Sequence, residues 1–282
     1  MKFGVNTLIW SEGFDPSHIK LFEPLKEAGF DGLEFPLFTP NPRPNVEIRR
    51  ALEQTALECT FCAILPRGFN TISEDPGVRA KSKQYWIDTV RTVAEMGGKI
   101  LCGPLYSPVG HFAGRRRTSD EWGWAVECFA DLGPTLVDYD VTMAIEPLNR
   151  YETYFLNTVA DTVALCREIN HPKVGILFDT YHANIEEKQI GAALEQSGPY
   201  LRHVHTCEND RGIPGTGHVE WNTVFPALRK LGYDGWLTIE GFGFSLGALS
   251  SAASIWRDLA PTSGAIAFDG VKFLKEQVKS AA

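Results

Sequence analysis

The sequence predicts an α/β chain folded as a closed (β/α)8 barrel, and three observations carry that reading. Apolar, β-branched or aromatic runs of strand length occur eight times, each followed by a longer segment with helical spacing of apolar residues. Strict alternation of this kind implies a parallel sheet, because parallel neighbours need crossover connections. The 282 residues also lie close to the roughly 250 typical of such a barrel, about 35 for each strand-helix unit. An open doubly wound sheet is the alternative; it would bring a phosphate-binding glycine turn after its first strand, and none follows residues 3–10.

In chain order, the expected strands cover residues 3–10, 32–38, 60–65, 100–105, 142–147, 174–180, 201–206 and 236–241. Helix starts between them are marked by Asp15 before Pro16, by Asp75 before Pro76, by the capping box of Thr118 and Glu121, and by Asn157 with Thr158. Helix ends fall at glycine, as at Gly29, Gly97 with Gly98, and Gly232. Residues 245–282 exceed one helix and contain Pro261 and Gly264, so a helix, a break and a second helix are expected there. No linker or shift of composition divides the chain, and residues 1–282 are read as a single barrel domain with a C-terminal helical extension.

Composition narrows the function classes. Acidic residues exceed Lys plus Arg for a net charge of -8, which argues against a duplex nucleic acid as ligand, since neutralised phosphates supply most of that affinity. The one basic run, Arg115 to Arg117, reads as a solvated loop ahead of a helix. No apolar run approaches the roughly 20 residues of a membrane span, and the N-terminus lacks a leader pattern, so the chain is read as soluble and cytoplasmic. Six scattered cysteines are expected as reduced thiols. Cys59 and Cys62 form a C-x-x-C, but in an extended run their side chains point to opposite faces, which favours packing over redox or zinc chemistry.

In a barrel, active-site groups stand at the C-terminal ends of strands and in the loops that follow. The fifth to eighth expected strands end on Glu146, Asp179, His205 and Glu240. Any one of these alone could be a polar strand end satisfied by backbone donors. Four on consecutive strands, with no lysine or arginine of matching depth evident, favour a divalent ion, because a buried charge must be paired or must coordinate metal. Three oxygen donors with one imidazole suit Mn²⁺, Mg²⁺ or Co²⁺ rather than zinc or copper. Glu152 and His182 fall in loops over the same rim, and Arg211 lies in a polar, glycine-containing loop where a substrate role and a surface role are equally open. His203 sits one layer deeper than His205 and is read as packing or support. Trp10, Phe14, Phe38, Tyr106, Trp122 and Phe242 lie near strand ends and could wall a small hydroxylated substrate, although each alone is more simply core.

Four segments carry a resemblance: Glu-Pro-Leu-Asn-Arg-Tyr-Glu (146–152), Leu-Phe-Asp-Thr-Tyr-His-Ala-Asn-Ile-Glu-Glu (177–187), His-Val-His (203–205), and Gly-Tyr-Asp-Gly (232–235) ahead of Ile-Glu (239–240). With ligand gaps of 33, 26 and 35 residues, they resemble the D-tagatose 3-epimerase family, which includes D-psicose (D-allulose) and L-ribulose 3-epimerases and belongs to the xylose-isomerase-like TIM barrels. The likeness is dense from about residue 144 to 259 and weak in the first hundred. It implies a metal-dependent isomerase that inverts C3 of a free ketohexose or ketopentose through a cis-enediolate. By this resemblance Glu146, Asp179, His205 and Glu240 would hold one divalent ion, Mn²⁺ in the first place. Glu146 and Glu240 would double as the two acid/bases, and Glu152, His182 and Arg211 would bind substrate hydroxyls. It also implies a homodimer or homotetramer.

Departures from the family's pattern include Gly241 where proline is frequent, Ala183 where methionine is common, Asn6 where an aromatic ring often stands, and the third-strand end at 63–68. They leave the ligands intact and bear on how the distal substrate carbons are read. An aldose-ketose or hydroxypyruvate isomerase of the same superfamily would use similar ligands and is the alternative. An endonuclease IV-like phosphodiesterase would want more histidines and a basic groove, and a silent sugar-binding barrel would not keep both proton-transfer glutamates.

Overall fold

Eight parallel strands close on themselves in sequence order, with β8 pairing back onto β1. They are β1 (Lys2–Asn6), β2 (Gly32–Pro36), β3 (Glu58–Cys62), β4 (Ile100–Gly103), β5 (Thr142–Ile145), β6 (Val174–Asp179), β7 (Leu201–His205) and β8 (Trp236–Ile239). This computed structural model describes residues 1–40, 45–244 and 247–280. The barrel is the one expected from the alternating pattern, although most strands stop two or more residues before the apolar runs do. The clearest case is β1: the Asn6 side chain accepts from the Leu8 amide and turns the chain into a short 3-10 helix, Thr7–Ile9, so Trp10 lies beyond the strand.

The helices around the barrel begin where side chains can take up free amides. Asp15 accepts from the Ser17 amide at the start of a 3-10 turn (Pro16–Leu21) that leads into α1 (Phe22–Ala28). After α2 (Val46–Thr55), Asp75 caps α3 (Pro76–Glu95), and the Thr118 and Glu121 box caps α4 (Ser119–Asp131), which is followed by α5 (Gly133–Asp138). Thr158 caps α6 (Val159–Ile169). The short α7 (Thr180–Glu186) is capped by Asp179 itself, and α8 (Ile190–Ser197) and α9 (Trp221–Lys230) follow. The C-terminal helix, break and helix are present as α10 (Ala248–Ala252) and α11 (Ser263–Ser280).

Two cores result, of very different character. The outer one, between sheet and helices, is continuous and aromatic-rich, with Trp86, Phe22, Phe30, Phe129 and Phe155 fully buried. Inside the barrel the apolar filling among the described residues is small: Cys62, Cys102, Ala144 and Leu177, with Ile100 partly buried against them. Cys59 joins the outer core while Cys62 faces inward, as period-2 alternation requires, and all six thiols are buried and free. The basic run is more engaged than a solvated loop: Arg115 forks onto Glu121, and Arg117 pairs with Asp161 and lies over the Trp122 ring. Among the described residues, no helix is long and apolar enough to cross a membrane.

One strand end couples the fold directly to the site. Gly103 closes β4 with φ +126°, a region side chains rarely adopt, and a Cβ there would run into the Ala63 carbonyl. Its own carbonyl accepts the amides of Leu105 and Glu146, so this strained corner fixes where the chain leaves β5. Gly103→Ala should lower the unfolding free energy by about 2 kcal/mol or more, combining backbone strain and overlap. A denaturant midpoint equal to that of the native chain would show that the corner tolerates a side chain.

Candidate active site

The four strand-end residues converge. One donor atom each from Glu146, Asp179, His205 and Glu240 lies within 4.8 Å of the others, and all four residues are buried. Local structure explains how each arrives. Glu146 directly follows β5, its amide tied to Gly103 across the sheet. Asp179 spends Oδ1 on the Tyr181 amide at 2.6 Å as the cap of α7, which leaves Oδ2 for the site. His205 is the last residue of β7 and pairs in register with Asp179 on β6 and Thr238 on β8. Between β6 and β7, the Thr180 hydroxyl donates to the Cys207 carbonyl and accepts the Cys207 amide, holding the two strand ends together.

Electrostatically the group is unbalanced. Burial, then the neighbouring Glu240 and Asp179 charges, push the Glu146 carboxyl well above the ordinary range. Burial would raise Asp179 too, but the Arg211 guanidinium and then His205 and His182 hold it far below. His205 is driven down by burial yet held well above the usual imidazole range by Glu34 and Glu240. Two buried polar atoms of the group, Glu146 Oε1 and His205 Nδ1, have no hydrogen-bond partner. Unpartnered buried atoms of this kind, beside two more carboxylates, are what a divalent cation with mixed oxygen and imidazole ligands would satisfy, taking the place of the His205 proton, so the residues fit such an ion.

The expected substrate residues Glu152, His182 and Arg211 line the same cavity, of about 150 Å³, and the structure corrects the reading that no lysine or arginine reaches this depth. Arg211 is not at the surface: its Nη1 donates to Glu240 Oε2 at 2.6 Å and to Asp179 Oδ2 at 3.0 Å. An arginine of matching depth therefore exists. It escaped the sequence pattern because it comes from a loop rather than a strand end. The guanidinium is stacked 4.0 Å from the Tyr181 ring and faces Phe242 at 5.2 Å. Its backbone is held at φ +66°, in the left-handed region.

Two neighbouring groups are equally preset. The Asn149 amide donates to His182 Nδ1 at 3.0 Å, while Nε2 lies 3.2 Å from Arg211 Nη2 and 3.6 Å from Glu146 Oε1, so the ring is gripped at both nitrogens beside the cavity. Burial lowers the His182 pKa and keeps that ring neutral. Glu152 is held by the Asn149 side-chain amide at 2.8 Å, and Arg150 clamps this β5 loop to α7 through both oxygens of Glu186. Of the rings near strand ends, Phe38 and Phe242 line the cavity. Tyr106 is fully buried against Phe155, Phe14 packs on Phe35, Trp122 on Phe155, and Trp10 against the outer core.

Comparison with known proteins agrees with this geometry. A family model described as a xylose isomerase-like TIM barrel matches residues 22–277. A protein of Synechocystis sp. named "Probable ketose 3-epimerase" is 36% identical over 276 residues, 98% of this chain and 96% of its own. The ketose 3-epimerase of Arthrobacter globiformis is 35% identical over 268 residues, 92% of this chain and 90% of its own. The chain belongs to the ketose 3-epimerase family of these barrels. Such enzymes are isomerases, and the family's fold is kept closely: the crystal structure of the D-allulose 3-epimerase of Methylomonas sp. matches with a TM-score of 0.92 at 28% identity, over 98% of each chain.

Two acidic residues of this epimerase-family barrel were not singled out by sequence. Glu34, mid-strand in β2, is wholly buried inside the barrel against His203 and His205. Its signal was available, as a carboxylate at an inward position of an apolar strand. Glu208 lies at the root of the Arg211 loop and accepts the amides of Asn209, Val219 and Gly215 and the Trp221 indole N–H. Burial alone would raise its pKa, but those donors lower it, so the ionised form supports the loop above the ordinary glutamate range, and that support is lost as pH falls through the lowered pKa. Glu208→Gln sets an amide NH₂ against two of these donors. It should destabilise the loop by about 2 kcal/mol, seen as faster amide exchange over residues 209–219, and the acid-dependent step should disappear. Unchanged exchange would remove Glu208 from this role.

Proposed function

We propose that the chain is a metal-dependent 3-epimerase of a free ketose, with Mn²⁺ as the preferred ion and Glu146 and Glu240 as its two acid/bases. The observation that carries this is the pair of buried glutamates, one following β5 and one following β8, facing a single cavity with Asp179 and His205 between them. Inversion at carbon needs a proton removed on one face and returned on the other. Ligands three strands apart around an eight-stranded ring can approach from different sides.

Glu146, Asp179, His205 and Glu240 would hold the ion; when bound, it polarises adjacent substrate oxygens and acidifies the C–H between them. This chain's residues do the rest. One glutamate takes the C3 proton and the other delivers one to the opposite face, with the roles exchanged in the reverse direction. His182 and Glu152, both held at the cavity wall by Asn149, contact substrate hydroxyls, with the Glu152 carboxylate accepting from one. Arg211, stacked between two rings, offers its remaining N–H groups to the same end of the sugar.

The cavity also speaks for an unphosphorylated, small substrate. Arg211 is the single Lys or Arg among its described lining residues, and it is already engaged by two carboxylates. The volume of about 150 Å³ falls below the roughly 300 Å³ where drug-sized pockets begin. Relatives point the same way: one solved structure is the Methylomonas sp. D-allulose 3-epimerase in complex with D-allulose.

In D₂O with Mn²⁺, the protein should place deuterium at C3 of a ketohexose or ketopentose and interconvert its C3 epimers, as read by NMR. Exchange at C1 alone would turn the assignment to an aldose-ketose isomerase, and no exchange across a ketose panel would end both. Glu240→Gln should cut turnover by about 10³-fold or more while circular dichroism stays native. Chelation should lower the melting temperature and Mn²⁺ should restore it, since a ligand of the folded state stabilises it by mass action; a melting point indifferent to both would count against the ion.

A further inference from the structure

We propose that Glu34 is a positioning residue for the metal site: it accepts the His205 Nε2–H and so leaves Nδ1 as the ring's lone-pair nitrogen, aimed at the ion. This rests on the metal reading above and adds to it a residue outside the four ligands. The geometry points to Glu34 directly. His205 Nε2 lies 2.8 Å from Glu34 Oε1, while Nδ1, on the other side of the ring, faces Glu240 Oε2 at 3.5 Å and Asp179 Oδ2 at 3.7 Å without a hydrogen-bond partner. A neutral imidazole has one N–H and one lone pair. Whichever nitrogen gives its proton to Glu34 releases the other for ligation.

Glu34 is itself held from three other strands. Asn6 on β1 donates to Oε1 at 3.0 Å, Thr60 on β3 donates to Oε2 at 3.0 Å, and the Cys102 thiol on β4 reaches Oε2 at 3.3 Å. Asn6, Glu34 and Thr60 are register partners, so they form one layer of the barrel interior. His203 Nε2, also on β7, stands 2.8 Å from Oε2. The carboxylate has no lysine or arginine beside it among the described residues; its partners are two hydroxyl- or amide-type donors, a thiol and two imidazoles. A buried carboxylate without a lysine or arginine partner is tolerated only when donors such as these satisfy it, and the His205 ring is one of them. Holding one ring nitrogen protonated and making the other more basic is the service that a carboxylate behind a metal-bound histidine performs.

The test measures Mn²⁺ binding to the full-length, metal-stripped protein by calorimetry and by electron paramagnetic resonance of the free ion, with no turnover involved. Glu34→Gln keeps the shape and removes the charge. Its dissociation constant for Mn²⁺ should rise about 10- to 100-fold, with much of the activity regained at saturating Mn²⁺. Glu34→Asp, which keeps the charge, should recover part of the affinity. Val93→Ala, a buried truncation of α3 in the outer core, should lower stability and leave the Mn²⁺ constant unchanged. Equal Mn²⁺ affinity in Glu34→Gln and the native chain would overturn the proposal, as would a matching loss in Val93→Ala.

Should Glu34→Gln fail to fold, the native protein still decides. With ¹⁵N-labelled histidine and ¹¹³Cd²⁺, one ring should show cadmium coupling at Nδ1 and a bound proton at Nε2. Coupling at Nε2 of His205 would refute the assignment. If neither ion binds the native chain, the metal reading falls and this inference with it; if both bind and Glu34→Gln binds equally well, this inference falls alone.

Discussion

The constraint on which this molecule depends is the burial of negative charge on the barrel axis. Glu34, Glu146, Asp179 and Glu240 are all buried near the barrel axis, and among the described residues the fixed positive charge beside them is the guanidinium of Arg211. Even with His205 held as an imidazolium, the balance is negative. Unpaired carboxylates out of water cost several kcal/mol each, so an arrangement of this kind persists only if something else answers the charge. The donor set suits a divalent cation, and the charge imbalance that makes the site expensive is also what would make it bind one tightly.

The rest of the barrel is built around that expense. Its interior carries little aliphatic filling, because the layer formed by Asn6, Glu34 and Thr60 gives the axis to polar groups that satisfy one another. Stability is displaced outward, to the aromatic-rich packing between sheet and helices. The same division recurs in the loops. Glu208 is spent on four N–H donors so that Arg211 can sit in a left-handed conformation with its guanidinium over the site. Asp179 gives one oxygen to a helix cap and the other to the centre. The groups that face the cavity are held in place by groups that do not.

What was legible in the sequence follows from this division. The barrel could be read because strand-helix alternation is periodic, and the four converging residues because each ends an apolar run on a charge. Strand ends were overextended because an apolar run continues into the loops over the site: residues such as Leu8, Phe38 and Ile64 are apolar for the sake of the cavity, not of the sheet. Arg211 could be named but not placed, since its depth is set by a loop conformation and by the stacking of Tyr181 and Phe242, neither of which has a periodicity. Glu34 went unread for the opposite reason. It lies mid-strand, where an inward carboxylate has meaning only once β7 is known to bring His203 and His205 across the barrel to meet it.

The cavity wall shows how the two halves of the chain divide the work. Glu146, Glu152, His182, Arg211 and Glu240 follow β5 to β8, whereas the residues lining it after β1 to β4 are Leu8, Phe38, Ile64, Pro104 and Val109, all without a charged or hydrogen-bonding side chain. Under the proposed reading, a sugar with its reacting carbons over the second half would lay its far carbons against this apolar side, where few directed hydrogen bonds are on offer. On that reading, discrimination among ketoses that differ only at those carbons would be weak, because an apolar pocket separates such isomers by little more than a methylene's worth of contact. Tightening it would require hydrogen-bonding side chains at positions such as Leu8 or Ile64. On this view, the residues that make the reaction possible and those that choose its substrate lie on opposite sides of the barrel mouth, and the second set can change without disturbing the first.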